Sequence, residues 1–380
     1  MDCADFIRML QQELESGPYS ASKKQIIRFL NRQDYQRFIA RWKQLRSKSA
    51  PAVIQQLNII QAISCPLPSS KPLKKFNGLV AVEEDRKVTM HSLVYPTRYP
   101  SQAVPWGVKQ IKAPQVWPVT MGYGVHVGVI DTGVDFFHPD LRGSVLRGIN
   151  LVHRGLPPQD DNGHGTHIAG TIAAGSRFYG ITGVAPRAAI HPVKAFDHNG
   201  TAYISDIILG IDWCVANRMD IINMSFGMKT RSNALLDAIK NAYNAGIVVV
   251  ASSGNASSRN SVDYPARYPH TISVGATDRN RKIAPFSNRG KGIDIYAPGE
   301  QIVSSWIHGR YNRLSGTSMA TSHVSGAIAL LLSVHPGLSP AEIKSLLRKS
   351  AQRLRGVRRK SPATGELHVP RLLLLSKSSR

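Results

Sequence analysis

A serine, a histidine and an aspartate stand in this chain where each could take part in chemistry. Ser318 lies in Ser315-Gly316-Thr317-Ser318-Met319-Ala320. A serine hydroxyl is a poor nucleophile at neutral pH and needs a neighbouring base. Behind it, Met319 to Val334 is almost all small or apolar, which predicts a helix buried on every side. Ser318 would sit at the N-terminus of that helix, where N–H groups and partial positive charge suit a developing oxyanion. Gly316 would allow a tight turn and a close substrate. His164 lies in Asp161-Asn162-Gly163-His164-Gly165-Thr166-His167, and the small residues from Ile168 to Ala174 again predict a buried helix. Two histidines three apart could hold a metal, but no third ligand follows at a suitable spacing, and His167 reads as structural. Asp131 ends the run Val125 to Ile130, which predicts a strand. Taken singly, each has an ordinary reading: Ser318 as a helix cap, Asp131 as a turn or cap aspartate, His164 as a structural histidine. Taken together they supply a nucleophile, a base, and a carboxylate to orient the base.

The elements that would position these groups alternate between strand and helix. Strands are predicted at Ala188 to Lys194, Ile221 to Met224, Ile247 to Ala251, Ile272 to Val274 and Ile293 to Tyr296, with helices at Ile204 to Asn217 and Ser232 to Ala245. This implies an α/β fold, a mostly parallel sheet with helices on both faces and active residues at the strands' C-terminal ends. Residues 1–98 differ in texture and predict a small α+β module with its linker. Helical spacing is seen at Phe6 to Leu14 and Lys24 to Leu45, and a strand within Ala52 to Ile63. Pro66 to Ser70 reads as a turn, Leu73 to Phe76 as a short helix, and Gly78 to Val82 and Lys87 to Met90 as two strands around Glu83-Glu84-Asp85. Tyr95 to Ser101 reads as an exposed linker. The main domain is expected over 99–375, followed by a basic tail at 376–380, with fraying from about residue 353.

Of the 380 residues, 42% are hydrophobic and 19% charged, an ordinary globular composition. The net charge of +24 is not ordinary and would favour acidic surfaces, anionic substrates or nucleic acid. The basic residues are spread out, however, and neither zinc-finger spacing nor an RNP-like string is present, so a nucleic-acid partner is not expected. Cys3, Cys65 and Cys214 are too few and too distant for a disulfide framework and read as structural thiols. The start, Met1-Asp2-Cys3-Ala4-Asp5, lacks the apolar stretch of a signal peptide, and no apolar run approaches membrane-spanning length. A cytoplasmic location is the simple expectation, with export the alternative.

Asp131, His164 and Ser318 occur in the order Asp, His, Ser, within Val-Ile-Asp-Thr-Gly, His-Gly-Thr-His-Ile-Ala-Gly-Thr and Gly-Thr-Ser-Met-Ala. On these three motifs the chain resembles the subtilisin-like serine proteases, or subtilases (peptidase S8 family), over roughly residues 102–372. The resemblance implies a serine endopeptidase that works through an acyl-enzyme and acts on polypeptides as a monomer, with no cofactor for the chemistry. It implies that Asn255, in Ser253-Gly254-Asn255, is an oxyanion donor. Ser225, Phe226 and Gly227 would form one substrate-binding edge, and Gly200, Thr201 and Ala202 its partner. Asp263 would lie at the floor of the P1 pocket, where a carboxylate favours Arg or Lys. The rival from another class is a catalytically silent, basic binding protein.

Phe76 to Asp85 resembles the end of the family's inhibitor-like propeptides. That implies a zymogen whose N-terminal module is an intramolecular inhibitor and whose linker is self-cleaved after Arg98. Residues before about 50 are not explained by this resemblance. Gln102 and Asp140 match two side-chain ligands of the family's calcium site, but Arg177 stands where an asparagine ligand would be. The resemblance therefore allows either a structural calcium ion or the guanidinium in its place. Ser322 replaces the family's usual proline and removes no catalytic group.

Overall fold

The computed structural model describes residues 3–15, 23–45, 54–67, 70–90, 93–96, 103–175, 180–356 and 365–377. The first of these build a module with its own core. Helices α1 (Cys3–Glu15) and α2 (Arg32–Leu45) cover one face of an antiparallel sheet of β1 (Lys23–Phe29), β2 (Gln55–Leu57), β3 (Ala62–Leu67) and β4 (Val80–Glu84), ordered β2-β3-β1-β4. Helical spacing from Lys24 is overturned over β1. Ile26 and Ile27 are adjacent and both buried, in different cores, as alternating sides of a strand allow. Phe6, Phe29, Phe38 and Phe76 pack ring against ring, with Phe6 and Phe76 centroids 5.3 Å apart. This aromatic core gives the residues before 50 their structural purpose.

Two further strands leave the module. Strand β5 (Lys87–Thr89) forms no hairpin with β4; it pairs with residues of the main domain. Strand β6 (Leu93–Pro96) places Tyr95 and Pro96 in a sheet rather than an exposed linker; the remainder of that linker, with Arg98, lies outside the described residues. Pro66 and Leu67 end β3 instead of opening a turn, and Pro72–Phe76 is a short 3-10 helix.

The main domain begins with α3 (Trp106–Gln110), β7 (His126–Asp131), β8 (Ile149–Asn150), α4 (His164–Ala173), β9 (Ala189–Lys194), β10 (Thr201–Tyr203) and α5 (Ile204–Ala216). It continues with β11 (Ile221–Met224), α6 (Asn233–Asn244), β12 (Val248–Ser252), β13 (Thr271–Thr277) and β14 (Ile295–Pro298). A hairpin of β15 (Ile302–Trp306) and β16 (Arg310–Ser315) leads into α7 (Thr317–Val334), then α8 (Pro340–Ser350) and α9 (Val369–Lys377).

Seven strands form one parallel sheet, ordered β14-β13-β12-β11-β7-β9-β8. Its central strands are rich in Val, Ile and Ala and buried throughout, because helices cover both faces. Helices α4, α7, α8 and α9 share the core on one side, and α5 and α6 share the other. Ile26, Leu57 and Ala62 of the N-terminal sheet join that second core, so the module is docked on α5 and α6.

The expected fraying from residue 353 is overturned at its end. Leu367, Val369, Leu372 and Leu373 are buried in the main core, and α9 includes Ser376 of the expected tail. Helix α7 is the one described helix long and apolar enough to cross a bilayer, and it is buried inside the domain. Cys65 and Cys214 are buried thiols whose pKa values burial pushes up.

Candidate active site

The chain runs from β7 through β8 to β9 on one side, then adds β11 to β14 on the other. The reversal leaves a crevice at the C-terminal ends of β7 and β11, the usual place for a site in an open parallel sheet. Asp131 is the last residue of β7, and Ser225 follows β11, whose Met224 is paired with Ile130. Ser318 Oγ–H donates to Ser225 O at 2.9 Å. The carboxylate and the serine therefore lie at the same end of the sheet.

Asp131 is fully buried, and His164 Nδ1 lies 2.8 Å from its Oδ1. An ionised carboxylate only accepts, so Nδ1 carries the proton and Nε2 is left as the basic nitrogen. Burial pushes the His164 pKa down, but the charge and hydrogen bond of Asp131, with Asp160 behind, outweigh it and raise the value above the ordinary 6.5. Nε2 is buried with no hydrogen-bond partner among the described residues. The serine hydroxyl and His164 Nε2 are thus not bonded in this state; the hydroxyl is directed at Ser225 O.

Several residues that the sequence reading passed over hold this pair. Asp160, buried, accepts from Gly163 N (2.9 Å), Thr166 N (2.9 Å) and Thr166 Oγ1 (2.6 Å), and so caps the first turn of α4. Thr132 Oγ1 donates to Asp160 at 2.8 Å and accepts from Gly165 N at 3.0 Å. Lys194, 1% exposed, donates to Thr132 O and Asp161 Oδ1, both at 2.6 Å. The aspartates just before Asn162-Gly163 were the available signal, since acids precede helix starts; a buried lysine at the end of an apolar strand has no local signature. A Cβ at Gly165 would stand 2.0 Å from Gly133 O and 3.1 Å from Asp131 Oδ1, so the helix can approach the aspartate only with glycine there. His167, expected to be structural, is fully buried with Nε2 3.0 Å from Ile302 O; burial holds its pKa down at about 3.

Ser318 lies in the first turn of α7, whose N–H groups lack intrahelical acceptors. Gly316 is extended, at φ 169°, so the turn itself does not demand glycine there. Asn255 Oδ1 accepts from Thr317 N at 2.9 Å and Thr317 Oγ1 at 2.8 Å. That fixes the amide's acceptor end against the start of the helix. Ser225, Phe226, Gly227, Asn255, Asp263 and Ser318 line one cavity of about 220 Å³, which Thr89 of the N-terminal module also borders. Asp263 is buried there, and its Oδ1 is 2.7 Å from Lys229 Nζ, a partner the sequence reading did not name.

Gly200, Thr201 and Ala202, expected to form the other edge, lie against the N-terminal module. Strand β10 pairs antiparallel with β5, with Thr201 opposite Thr89, and Met90 N donates to Gly200 O at 2.8 Å. An extended segment of the protein's own N-terminal module thus already lies on this edge. The acids read as a turn anchor it. Glu83 accepts from Ser232 Oγ and from Asn233 N at 3.0 Å at the start of α6, and Asp85 accepts from Ser205 N at 2.9 Å near the start of α5. Both place negative charge at a helix N-terminus.

No group of three or more His, Cys, Asp or Glu residues poised for a metal is present among the described residues. Asp140 is buried; its Oδ2 accepts from Ile181 N (3.0 Å) and Tyr311 OH (2.9 Å), while Oδ1 has no partner among the described residues. Gln102 and Arg177 lie outside the described residues.

Fold and site together define a serine hydrolase built on a parallel α/β sheet. Residues 122–370 match the model of the subtilase family. Subtilisin E of Bacillus subtilis (strain 168) is 40% identical over 345 residues, covering 88% of this chain and 87% of its own. A subtilisin of Bacillus pumilus is 46% identical over 258 residues, covering 66% of this chain and 92% of its own. A thermostable alkaline protease of Halalkalibacterium halodurans is 40% identical over 302 residues, covering 79% and 80%. The chain belongs to the subtilase family. It is a serine endopeptidase.

Proposed function

We propose that Ser318 attacks the scissile carbonyl and that His164 Nε2 takes the hydroxyl proton. Asp131 holds the imidazole and stabilises its charged form. The attack requires the Ser318 hydroxyl to turn from Ser225 O toward His164. The tetrahedral oxyanion is then met by the Asn255 NH2 and the Ser318 N–H. His164 returns its proton to the departing amine, and an acyl-enzyme remains; water, deprotonated by the same imidazole, releases the acid. The observation that carries this reading is the buried 2.8 Å pair of Asp131 and His164 at the end of the sheet where Ser318 is bonded to Ser225 O.

Substrate binds as an extended polypeptide between Gly200–Ala202 and Ser225–Gly227, by strand addition. Residues 1–98 act as a propeptide. Their β5 lies on the edge that substrate would use, which supports intramolecular inhibition. Self-cleavage after Arg98 releases the module from the monomeric enzyme. Asp263 sets the charge of the P1 pocket. A structural cation suits Asp140 Oδ1, which has no partner among the described residues: calcium held with Gln102, or the Arg177 guanidinium, would supply positive charge to the fold and nothing to the reaction.

The test is intact mass and peptide hydrolysis for wild type and Ser318→Ala. Wild type should lose its first 98 or so residues and cleave peptides, and the variant should do neither. Hydrolysis retained in Ser318→Ala would refute the assignment.

A further inference from the structure

The P1 pocket contains a charge that is already answered from within the chain. Asp263 is 8% exposed, and its Oδ1 accepts from Lys229 Nζ at 2.7 Å and from Asn288 Nδ2 at 3.3 Å. Its Oδ2 faces the two backbone segments that wall the cavity: an added Cβ would stand 2.3 Å from it at Gly254 and 3.3 Å at Gly227. Lys229 follows the substrate edge by two residues. Met228 exchanges both backbone hydrogen bonds with Tyr264, at 2.8 and 2.9 Å, so the segments bearing Lys229 and Asp263 are stitched together. The lysine side chain itself remains 60% exposed.

Resting on the endopeptidase reading above, we propose that Lys229 masks Asp263 and is the residue that decides whether a basic P1 side chain is accepted. A buried carboxylate without a partner is costly, so an ammonium at 2.7 Å holds it firmly in the resting pocket. A P1 guanidinium or ammonium must evict Lys229 or sit beside it, and two cations on one carboxylate repel each other. A P1 carboxylate meets Asp263 itself. The side chains that fit without penalty are neutral ones with a donor, such as Gln or Tyr, which can bond to Asp263 Oδ2. Because Lys229 is exposed, eviction is attainable when substrate is tethered, as a self-cleaved linker ending in Arg98 would be. For substrates in solution the pocket selects neutral P1 residues.

The experiment measures kcat/KM for peptides that differ only at P1 (Gln, Tyr, Arg, Lys, Glu), with active sites counted by a fluorophosphonate. Wild type should prefer Gln and Tyr to Arg. Lys229→Gln should raise the Arg-to-Gln ratio about tenfold, and adding Asp263→Asn should cancel that rise. An unchanged ratio in Lys229→Gln, or a wild type that already favours Arg about tenfold, overturns the masking while leaving the protease reading intact. No cleavage of any peptide overturns both.

Discussion

Thr317→Val isolates one hydroxyl beside the nucleophile. Thr317 Oγ1 donates to Asn255 Oδ1 at 2.8 Å and accepts from Gly254 N at 3.2 Å. Valine keeps the shape and removes both bonds. The buried Gly254 N–H is then stranded, which costs about 1–3 kcal/mol, and the lost bond to Asn255 adds about 1 kcal/mol. The fold should therefore lose about 2–4 kcal/mol, read as a lower melting temperature. Asn255 is still held by Thr317 N at 2.9 Å, so its amide is loosened rather than released. We expect kcat to fall about tenfold, equivalent to about 1.4 kcal/mol of barrier. KM should stay within about twofold, because the oxyanion exists only in the transition state. Thr317→Ser keeps the oxygen and should restore kcat. The assay is steady-state hydrolysis of a fluorogenic peptide beside a thermal melt. A lowered melting temperature with kcat within about twofold of wild type would refute the reasoning, because Thr317 would then support the helix and not the donor.

Other perturbations address the remaining links. His164 must be neutral to act as base, and its pKa is raised, so the acid limb of kcat/KM should have its midpoint above pH 6.5. Asp131→Asn removes the charge that raises it and leaves burial, which lowers it; the midpoint should move down in pH while the plateau falls about 10⁴-fold. Coincident midpoints in the two pH profiles would contradict this. Glu83→Gln removes a charge from the start of α6, and in the full Ser318→Ala chain it should lower the opening free energy of the module by about 1 kcal/mol, read from hydrogen exchange of the amides that β5 and Met90 donate to β10. Exchange unchanged by Glu83→Gln would show that the cap carries none of the docking.

The three candidate motifs were legible because each is a short local segment at the end of an element. Asp131, His164 and Ser318 needed only a buried strand or helix beside them to be noticed, and runs such as Ile247 to Ala251 announce central strands through β-branched residues. What was hidden depends on distant partners. Lys23–Phe29 has helix-like spacing and became a strand because two separate cores claim its two faces. Strand β5 looked like half of a hairpin, and only the assembled crevice offers β10 as its partner. Lys194 and Lys229 carry no motif, and Thr317 lies in one only as the neighbour of Ser318; their importance comes from groups far away in the chain. The last helix was concealed by basic residues around a few leucines that the main core buries.

The order of the main sheet also governs how the protein would lose and regain its structure. Val127 must find Ile221 before β7 and β11 can pair, and every other pairing in that sheet is likewise parallel and closes a loop through an intervening segment. Such non-local sheets fold slowly, because loop entropy is lost before contacts compensate. The N-terminal module touches α5, α6 and β10, elements on either side of β11, and can hold them together while that search proceeds. If the module is cut away as proposed, the same barrier would stand with nothing to lower it. The mature enzyme would then persist because its unfolding is slow, and its lifetime would be set by a rate instead of an equilibrium.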